Sequence, residues 1–400
     1  MCWNARASHR DDGRDRRGTV RPRGAVKVLQ VITKGEIGGA QSHVLTLCRE
    51  LARRDVNIHA AIGGTEERPP LSEALCALGL PVHRIPALGN SWNPLQMARA
   101  LRTLVALVRQ QRPDLLHAHS AMAGVVARLA GLLTGTPVIY TVHGFAFKAG
   151  APWKRRAAAF AVEWMLAPLT RCMVCVSAYE RQLARRLPLP PARVTVIHNG
   201  VEDVPNQGQG RTSAAETLPA IAMIARMAPP KRPDLLLQAL AQLSATLGHE
   251  IPATFFGDGP DLPAHRDLAG RLGLHAATFQ GDVDDIPVQL AHHAIFVLMS
   301  DHEGLPISLI EAMRAGLAIV ASDLPGIREL LPDAEHALLV AQDAAALSTA
   351  LRQLIESPAL RARMGAAARQ RYEQHFTAER MGTAVQAVYA TAISRTPTTP

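Results

Sequence analysis

The segment richest in potential chemistry runs from Ser300 to Gly316 and reads SDHEGLPISLIEAMRAG. It follows an apolar run, Ile295 to Met299, and its second half has the spacing of a helix. Glu303 therefore falls in the loop and Glu311 inside the helix. The backbone N–H groups at 304–308 are the unpaired donors of a helix N-terminus, where a phosphate is favoured by both hydrogen bonding and the helix dipole. A carboxylate just before those donors and one inside the helix can accept from sugar hydroxyls on either side of such a phosphate. A helix cap followed by a surface glutamate fits the same residues, so the segment alone leaves both readings open.

Three smaller patterns carry weaker signals. Gly38-Gly39 follows an apolar run and lets backbone approach a phosphate or sugar closely, yet a plain strand-to-helix turn needs nothing more. His117 and His119 have the spacing of a metal-ligand pair with His143 as a third member; the alternative expectation places His119 at an acceptor cleft and turns His117 to the other side of its strand. Cys172 and Cys175 form a CxxC inside an apolar run with no second CxxC, which reads as buried strand and not as zinc or redox chemistry.

The elements that position these residues alternate short β-branched runs with helical periods, the pattern of parallel α/β sheets. A first strand covers Val26–Ile32, and Ala40 to Leu51 continues as a helix. Leu101, Leu104, Val105 and Val108 make a one-sided helix that stops near Arg112-Pro113. Strands are expected at 114–118, 137–142, 172–176 and 193–197. Residues 203–218 are polar and Gly-rich without periodicity, which predicts a linker. A second alternation follows: strand 219–225, helix 233–246, strands 252–256, 276–280 and 294–299, helix 306–315 and strand 317–321. The fold class is α/β. The expected architecture is a basic disordered extension or over-long start (1–24), a first doubly wound Rossmann-like domain (25–202), the linker, a second such domain (219–375), and a last helix (376–395) packing back on the first. Two such sheets face each other across a cleft, with ligands at the carboxyl ends of their strands.

With these motifs in place the sequence resembles the family 4 glycosyltransferases of the GT-B fold. Glu303 and Glu311, with Gly304 and Gly316, match the family's EX7E motif. The segments Ile221 to Lys231, Phe256 to Pro260, Gly281 to Val283 and Val196 to Val201 match further family motifs, and the likeness covers the chain from about residue 26. The resemblance implies a retaining glycosyltransferase. Arg226 and Lys231 would grip the donor diphosphate, doing what a metal ion does in other glycosyltransferases, so no metal or other cofactor is expected. Fixed cations there would stabilise the leaving group as its charge grows. Glu311 would accept from the ribose and Glu303 from the donor sugar. Backbone at Gly304, Leu305, Ile307 and Ser308 would meet the phosphates, Gly39 would approach the donor, and backbone near Val283 would meet the base. His143, in Thr141-Val-His-Gly144, matches the family's histidine beside the reacting face of the sugar, although a core histidine would look the same. Gln41 stands where the family has a glutamate, so an acceptor contact there would lack its negative charge; Gln41 and His119 are the expected acceptor-side residues. Asp282-Val-Asp284 has the DxD form of a metal site, but it lies where the family places a base-binding loop.

Composition bounds the rest. Four hundred residues suit two domains, and there is no run of about 18 apolar residues that could span a membrane. Residues 1–24 hold Arg16-Arg17 but no apolar stretch after the pair that would make an export signal. The net charge of +9 is concentrated: residues 1–24 have seven Arg against three Asp, and 147–186 have eight Lys and Arg against two Glu. Within the latter, Trp153, Phe160 and Trp164 stand among Lys154, Arg155 and Arg156, a mixture suited to an anionic membrane surface. The expected partners are a UDP-sugar donor of hexose or N-acetylhexosamine type, a lipid-linked saccharide acceptor of cell-surface polysaccharide synthesis, and the inner face of the cell membrane; the expected setting is cytoplasmic. Two other readings remain: a sugar-nucleotide epimerase of the same fold, and a non-enzymatic nucleic-acid binder. The basic patches lack a reader motif for the latter, so no nucleic-acid partner is expected.

Overall fold

The computed structural model describes residues 26–36, 38–148, 152–204 and 218–394. The expected extension at 1–24 and most of the expected linker lie outside the described residues.

Short runs that are apolar on both faces require a parallel sheet covered by helices on two sides. The chain builds two of these. In the first, β1 (Lys27–Ile32), α1 (Gly39–Ala52), β2 (Asn57–Gly63), α2 (Pro70–Ala77) and β3 (Val82–Ile85) wind to one side. The long helix α3 (Pro94–Gln111) carries the chain back past β1. From there β4 (Leu115–His119), α4 (Ala121–Thr134), β5 (Val138–Val142), α5 (Trp153–Leu166), β6 (Cys172–Cys175), α6 (Ala178–Ala184) and β7 (Val194–Val196) wind to the other side. The strand order is β3-β2-β1-β4-β5-β6-β7.

The second sheet repeats the plan with β8 (Ile221–Ile224), α7 (Pro233–Leu247), β9 (Ala253–Phe256), α8 (Leu262–Arg271) and β10 (Ala277–Gly281) on one side. After α9 (Ile286–Ala291) the chain returns to β11 (Ile295–Leu298), α10 (Ile307–Arg314), β12 (Ala318–Ser322), α11 (Pro325–Leu330) and β13 (Leu338–Val340). Three helices close the fold: α12 (Ala344–Glu356), α13 (Pro358–His375) and α14 (Ala378–Ser394). The order is β10-β9-β8-β11-β12-β13, and every pairing in both sheets is parallel.

Local chemistry sets the element ends. Asn93 caps α3 by accepting from Leu95 N at 2.9 Å, and Pro94 enters the first turn. Arg112 ends the helix in the left-handed region at φ 46°, because Pro113 has no N–H to continue it. The strands expected from sequence all form within a residue or two of their predicted bounds. Helix α13 buries only Met364, Gly365, Ala368 and Tyr372 of its 18 residues, a narrow stripe along one face.

Helix α14 crosses back to the first sheet. Its Met381, Val385, Tyr389 and Ala392 join the core of that lobe with Val28, Val44, Leu47 and Leu51. At the crossing the two connections between lobes are tied together: Val201 N donates to Phe376 O at 3.0 Å and Ala378 N to Val201 O at 2.9 Å. In both sheets the winding direction reverses between two neighbouring strands, β1 and β4 in the first and β8 and β11 in the second. Those two reversals mark where a crevice opens at the strand ends.

Candidate functional site

The two crevices face each other and enclose one cavity of about 700 Å³. The first lobe contributes the loop after β1 with Gly38 and Gly39, His143 just past β5, and Asn199. The second contributes Arg226 and Lys231 from the loop after β8, Asp282 and Val283 after β10, and the run Glu303 to Ser308 with Glu311. Of the thirteen residues expected at a site, eleven line this cavity: Gly39, His143, Arg226, Lys231, Val283, Glu303, Gly304, Leu305, Ile307, Ser308 and Glu311.

Helix α10 begins at Ile307 behind Pro306, and no side chain caps it. Its first backbone N–H groups are therefore donors turned to the cavity without a protein acceptor competing for them. Glu303 sits before them in a fixed position. Lys231 Nζ forms an ion pair with Glu303 Oε1, and Ser300 Oγ donates to the same oxygen at 2.6 Å. Backbone pairing between Lys231 and Ser300 holds the two loops side by side. Arg226 is exposed, whereas Arg232 is turned away and held by Asp234 at 2.7 Å and Asp301 at 3.3 Å. Burial pushes the Glu311 carboxyl up to about 7, against the smaller opposing pull of Arg314.

Gly304 is required by packing across the cleft. A Cβ there would lie 2.6 Å from the carbonyl oxygen of His143. The lobes also meet where Asn199 Nδ2 donates to Leu305 O at 2.8 Å. A third tie is Glu329, whose two oxygens each accept from Ala178 N at 2.8 Å and one of which meets His198 Nε2 at 2.7 Å. Burial works to raise the Glu329 carboxyl, but His198 and the N–H groups of Ala178 and Tyr179 outweigh it and hold the carboxyl below its usual range. Neither Asn199 nor Glu329 is among the expected site residues: Asn199 lies in the Val196 to Val201 motif, which carries no assigned role, and the partners of Glu329 are over 130 residues away.

Two expectations fail. Gln41 does not reach the cavity: its Nε2 donates to Lys34 O at 3.1 Å, closing the loop after β1 on itself. His119 does not border the cleft, and His117 does not lie on the opposite face. Residues i and i+2 of a strand share a face, and the two rings lie 4.2 Å apart, both fully buried. His117 bridges Tyr389 Oη at 2.6 Å and Thr141 Oγ1 at 2.7 Å, while His119 meets Gln30 Oε1 at 2.8 Å and His143 Nε2 at 3.4 Å. Burial, aided by the other imidazoles, holds His143 well below the usual histidine range, so at neutral pH it is an uncharged ring facing the cavity.

Asp282 is engaged in the fold: its Oδ1 accepts from Asp258 N at 3.0 Å. Among the described residues the one group of three or more side chains able to converge on a metal is His43, His119 and His143, not the carboxylates of the DxD. Of the CxxC pair, Cys175 is a free thiol buried in β6.

The profile described as Glycosyltransferase Family 4 matches residues 37–204, and that described as Glycosyl transferases group 1 matches residues 209–371. This chain is a family 4 glycosyltransferase. It is 27% identical to the UDP-Gal:alpha-D-GlcNAc-diphosphoundecaprenol alpha-1,3-galactosyltransferase of Escherichia coli over 270 residues, covering 60% of this chain and 66% of that protein. It is 27% identical to the Escherichia coli O-antigen biosynthesis glycosyltransferase WbnH over 305 residues, covering 75% and 82%. In fold the glycosyltransferase resembles Anabaena HepE solved in complex with UDP-glucose, with TM-score 0.77, 20% identity, and 91% and 99% of the two chains covered. Sucrose-phosphate synthase from Thermosynechococcus elongatus superposes equally well, with TM-score 0.78, 20% identity, and 92% and 99% covered. Both likenesses establish the GT-B architecture of two parallel sheets. The enzyme thus belongs to a family that transfers sugar with retention of configuration.

Proposed function

We propose that this enzyme transfers a hexose or N-acetylhexosamine from a UDP-sugar to a lipid-linked saccharide in cell-surface polysaccharide synthesis. One observation carries the reading: the uncapped start of α10, Lys231, Glu303 and Glu311 line one wall of a single cavity while His143 lines the other. A diphosphate at the helix start would place a sugar between Glu303 and His143 and a ribose near Glu311. Arg226 and Lys231 would take up the charge that develops on the departing diphosphate, so the reaction would run without a metal ion. Lys231 is already paired with Glu303, so the donor would enter an arranged polar site and not a collapsed one. The acceptor would attack from the face that the leaving group departs, its proton passing to the departing phosphate oxygen.

The choice of UDP is supported by the HepE complex with UDP-glucose and by the UDP-Gal donor named for the Escherichia coli relative, and the lipid-linked acceptor by that relative's diphosphoundecaprenol substrate. No helix among the described residues is long and apolar enough to cross a membrane. Docking to an anionic membrane surface would therefore use α5, where Trp153 is 71%, Trp164 51% and Met165 62% exposed beside exposed Lys154 and Arg155. Phe160, expected on that surface, turns inward instead and packs edge-on against Phe147 at 5.3 Å. The reading calls for work at the cytoplasmic face. The deciding experiment is a donor screen by thermal shift across UDP-, GDP- and ADP-sugars, followed by product analysis with a diphospholipid-linked acceptor. Stabilisation by UDP-sugars above the other two supports the proposal. Preference for GDP or ADP, or interconversion of two nucleotide sugars without transfer, overturns it.

A further inference from the structure

Three imidazoles from three elements converge beneath the cavity: His43 from α1, His119 from the end of β4, and His143 from just past β5. One ring nitrogen of each lies within 4.8 Å of the other two. The ring of His43 stands edge-on to that of His143 at 4.7 Å and 5.4 Å from that of His119. His43 is 2% exposed and its Nε2 has no hydrogen-bond partner. A buried polar atom left in this state costs stability unless something engages it.

The surrounding hydrogen bonds decide where the protons sit. Gln30 Nε2 donates to Tyr389 Oη at 2.9 Å, which turns Gln30 Oε1 toward His119. An amide oxygen only accepts, so His119 carries its proton on Nε2 and presents a lone pair at Nδ1. Asn199 Nδ2 donates to Leu305 O, so Asn199 Oδ1 accepts from His43 Nδ1 at 3.0 Å and the His43 lone pair is at Nε2. His119 Nδ1 and His43 Nε2 therefore each keep a lone pair, and each ring is held through its other nitrogen by a carboxamide. Metal-binding histidines are oriented in this way. The His119 Nδ1 to His143 Nε2 separation is 3.4 Å. Two nitrogens each about 2.0–2.1 Å from a tetrahedral zinc stand roughly that far apart. Burial also keeps His43 at about 4 and the other two well below their usual range, so all three are neutral and ready to ligate at pH 7.

We infer that His43, His119 and His143 form a site for a divalent transition metal of zinc type, with a fourth position open to the cavity, and that occupancy of this site competes with the donor sugar. Binding takes the other neutral tautomer of His143, with its proton moved from Nε2 to Nδ1 and its Nε2 lone pair given to the ion, and closes the three nitrogens onto the ion. His143, held by the metal, is then withdrawn from the sugar. This second part rests on the proposed place of His143 beside the donor. The site inhibits; it is not a catalytic metal, and chelation is expected to raise activity, not abolish it.

The test uses the full chain, stripped with EDTA and titrated with Zn²⁺ and with Co²⁺. Calorimetry is expected to show one tight Zn²⁺ per chain, the cobalt spectrum a tetrahedral ion, and X-ray absorption at the zinc edge three imidazole nitrogens. His43→Gln is expected to weaken Zn²⁺ binding by more than the roughly 10- to 100-fold that loss of an outer partner costs, with its melting curve checked for an intact fold. His59→Gln, in the separate pair of stacked rings formed with His83, is expected to leave the affinity unchanged. Absence of tight binding to the wild type, fewer than three nitrogen ligands, or unaltered affinity in a folded His43→Gln protein overturns the site. Stoichiometric zinc bound at the three imidazoles with undiminished transfer leaves the site standing and removes His143 from the donor reaction.

Discussion

Glu311 offers the sharpest test of how the donor cavity is built. Burial raises its carboxyl from 4.5 to about 7. A shift of this size corresponds to roughly 3 kcal/mol between the two protonation states, at about 1.36 kcal/mol per pH unit. The sign follows from proton counting. Between pH 4.5 and 7 the unfolded carboxyl has lost its proton while the folded one retains it, so stability falls as pH rises through this window and the loss is complete above about 7. Glu311→Gln keeps the shape without the charge. Its melting temperature is expected to match that of the wild type near pH 4.5, to exceed it by an increasing margin up to about pH 7, and to hold that margin at pH 8. Nucleotide binding is expected to move the opposite way. Ribose hydroxyls donate to the ionised carboxylate, so donor binding below pH 7 must expel a proton and wild-type affinity falls about tenfold per pH unit there, at 1.4 kcal/mol per decade. In the variant, affinity for free UDP is weakened and loses this pH dependence. Melting curves from pH 4.5 to 8 and calorimetry with UDP check both halves. A stability difference that does not vary with pH refutes the buried-carboxyl argument. Unchanged UDP affinity in the variant shows that Glu311 never meets the ribose.

Three further outcomes follow from the same geometry. Lys231→Ala is expected to lower kcat/KM by roughly 100-fold or more, near 3 kcal/mol in the barrier, with wild-type activity surviving EDTA; a metal requirement or a nearly intact variant defeats the diphosphate role. Glu303→Gln should spare the affinity for free UDP and weaken only sugar-bearing donors, which calorimetry with UDP and its sugar conjugates resolves; equal loss for both would place Glu303 on the nucleotide. A Lys154/Arg155/Arg156→Ser triple variant is expected to lose co-sedimentation with anionic but not neutral vesicles, since each basic residue near such a surface contributes about 1 kcal/mol; wild type that ignores anionic vesicles rules out docking through α5.

Much of this enzyme could be read before any fold was known, and the reason is physical. Parallel strands buried on both faces must be continuous apolar runs, and a phosphate-binding helix start must follow such a run at once. The order of elements and the grouping of Glu303, Gly304, Ser308 and Glu311 were therefore local facts of the chain. Lys231 and Arg226, a few residues past β8, are singled out by the family resemblance and not by local spacing. What the sequence did not contain was any distance between residues far apart along it. His117 and His119 are expected on opposite faces although strand periodicity itself puts them together, and α14 covers His117 with Tyr389. Gln41 looked like a substrate contact until the loop after β1 closed on it. The cross-cleft ties of Asn199 and Glu329, the approach of Gly304 to His143, and the meeting of His43 with His119 and His143 all join segments from separate elements. Only packing of one sheet against its helices, and of one lobe against the other, decides which side chains lose water and which are left facing one another.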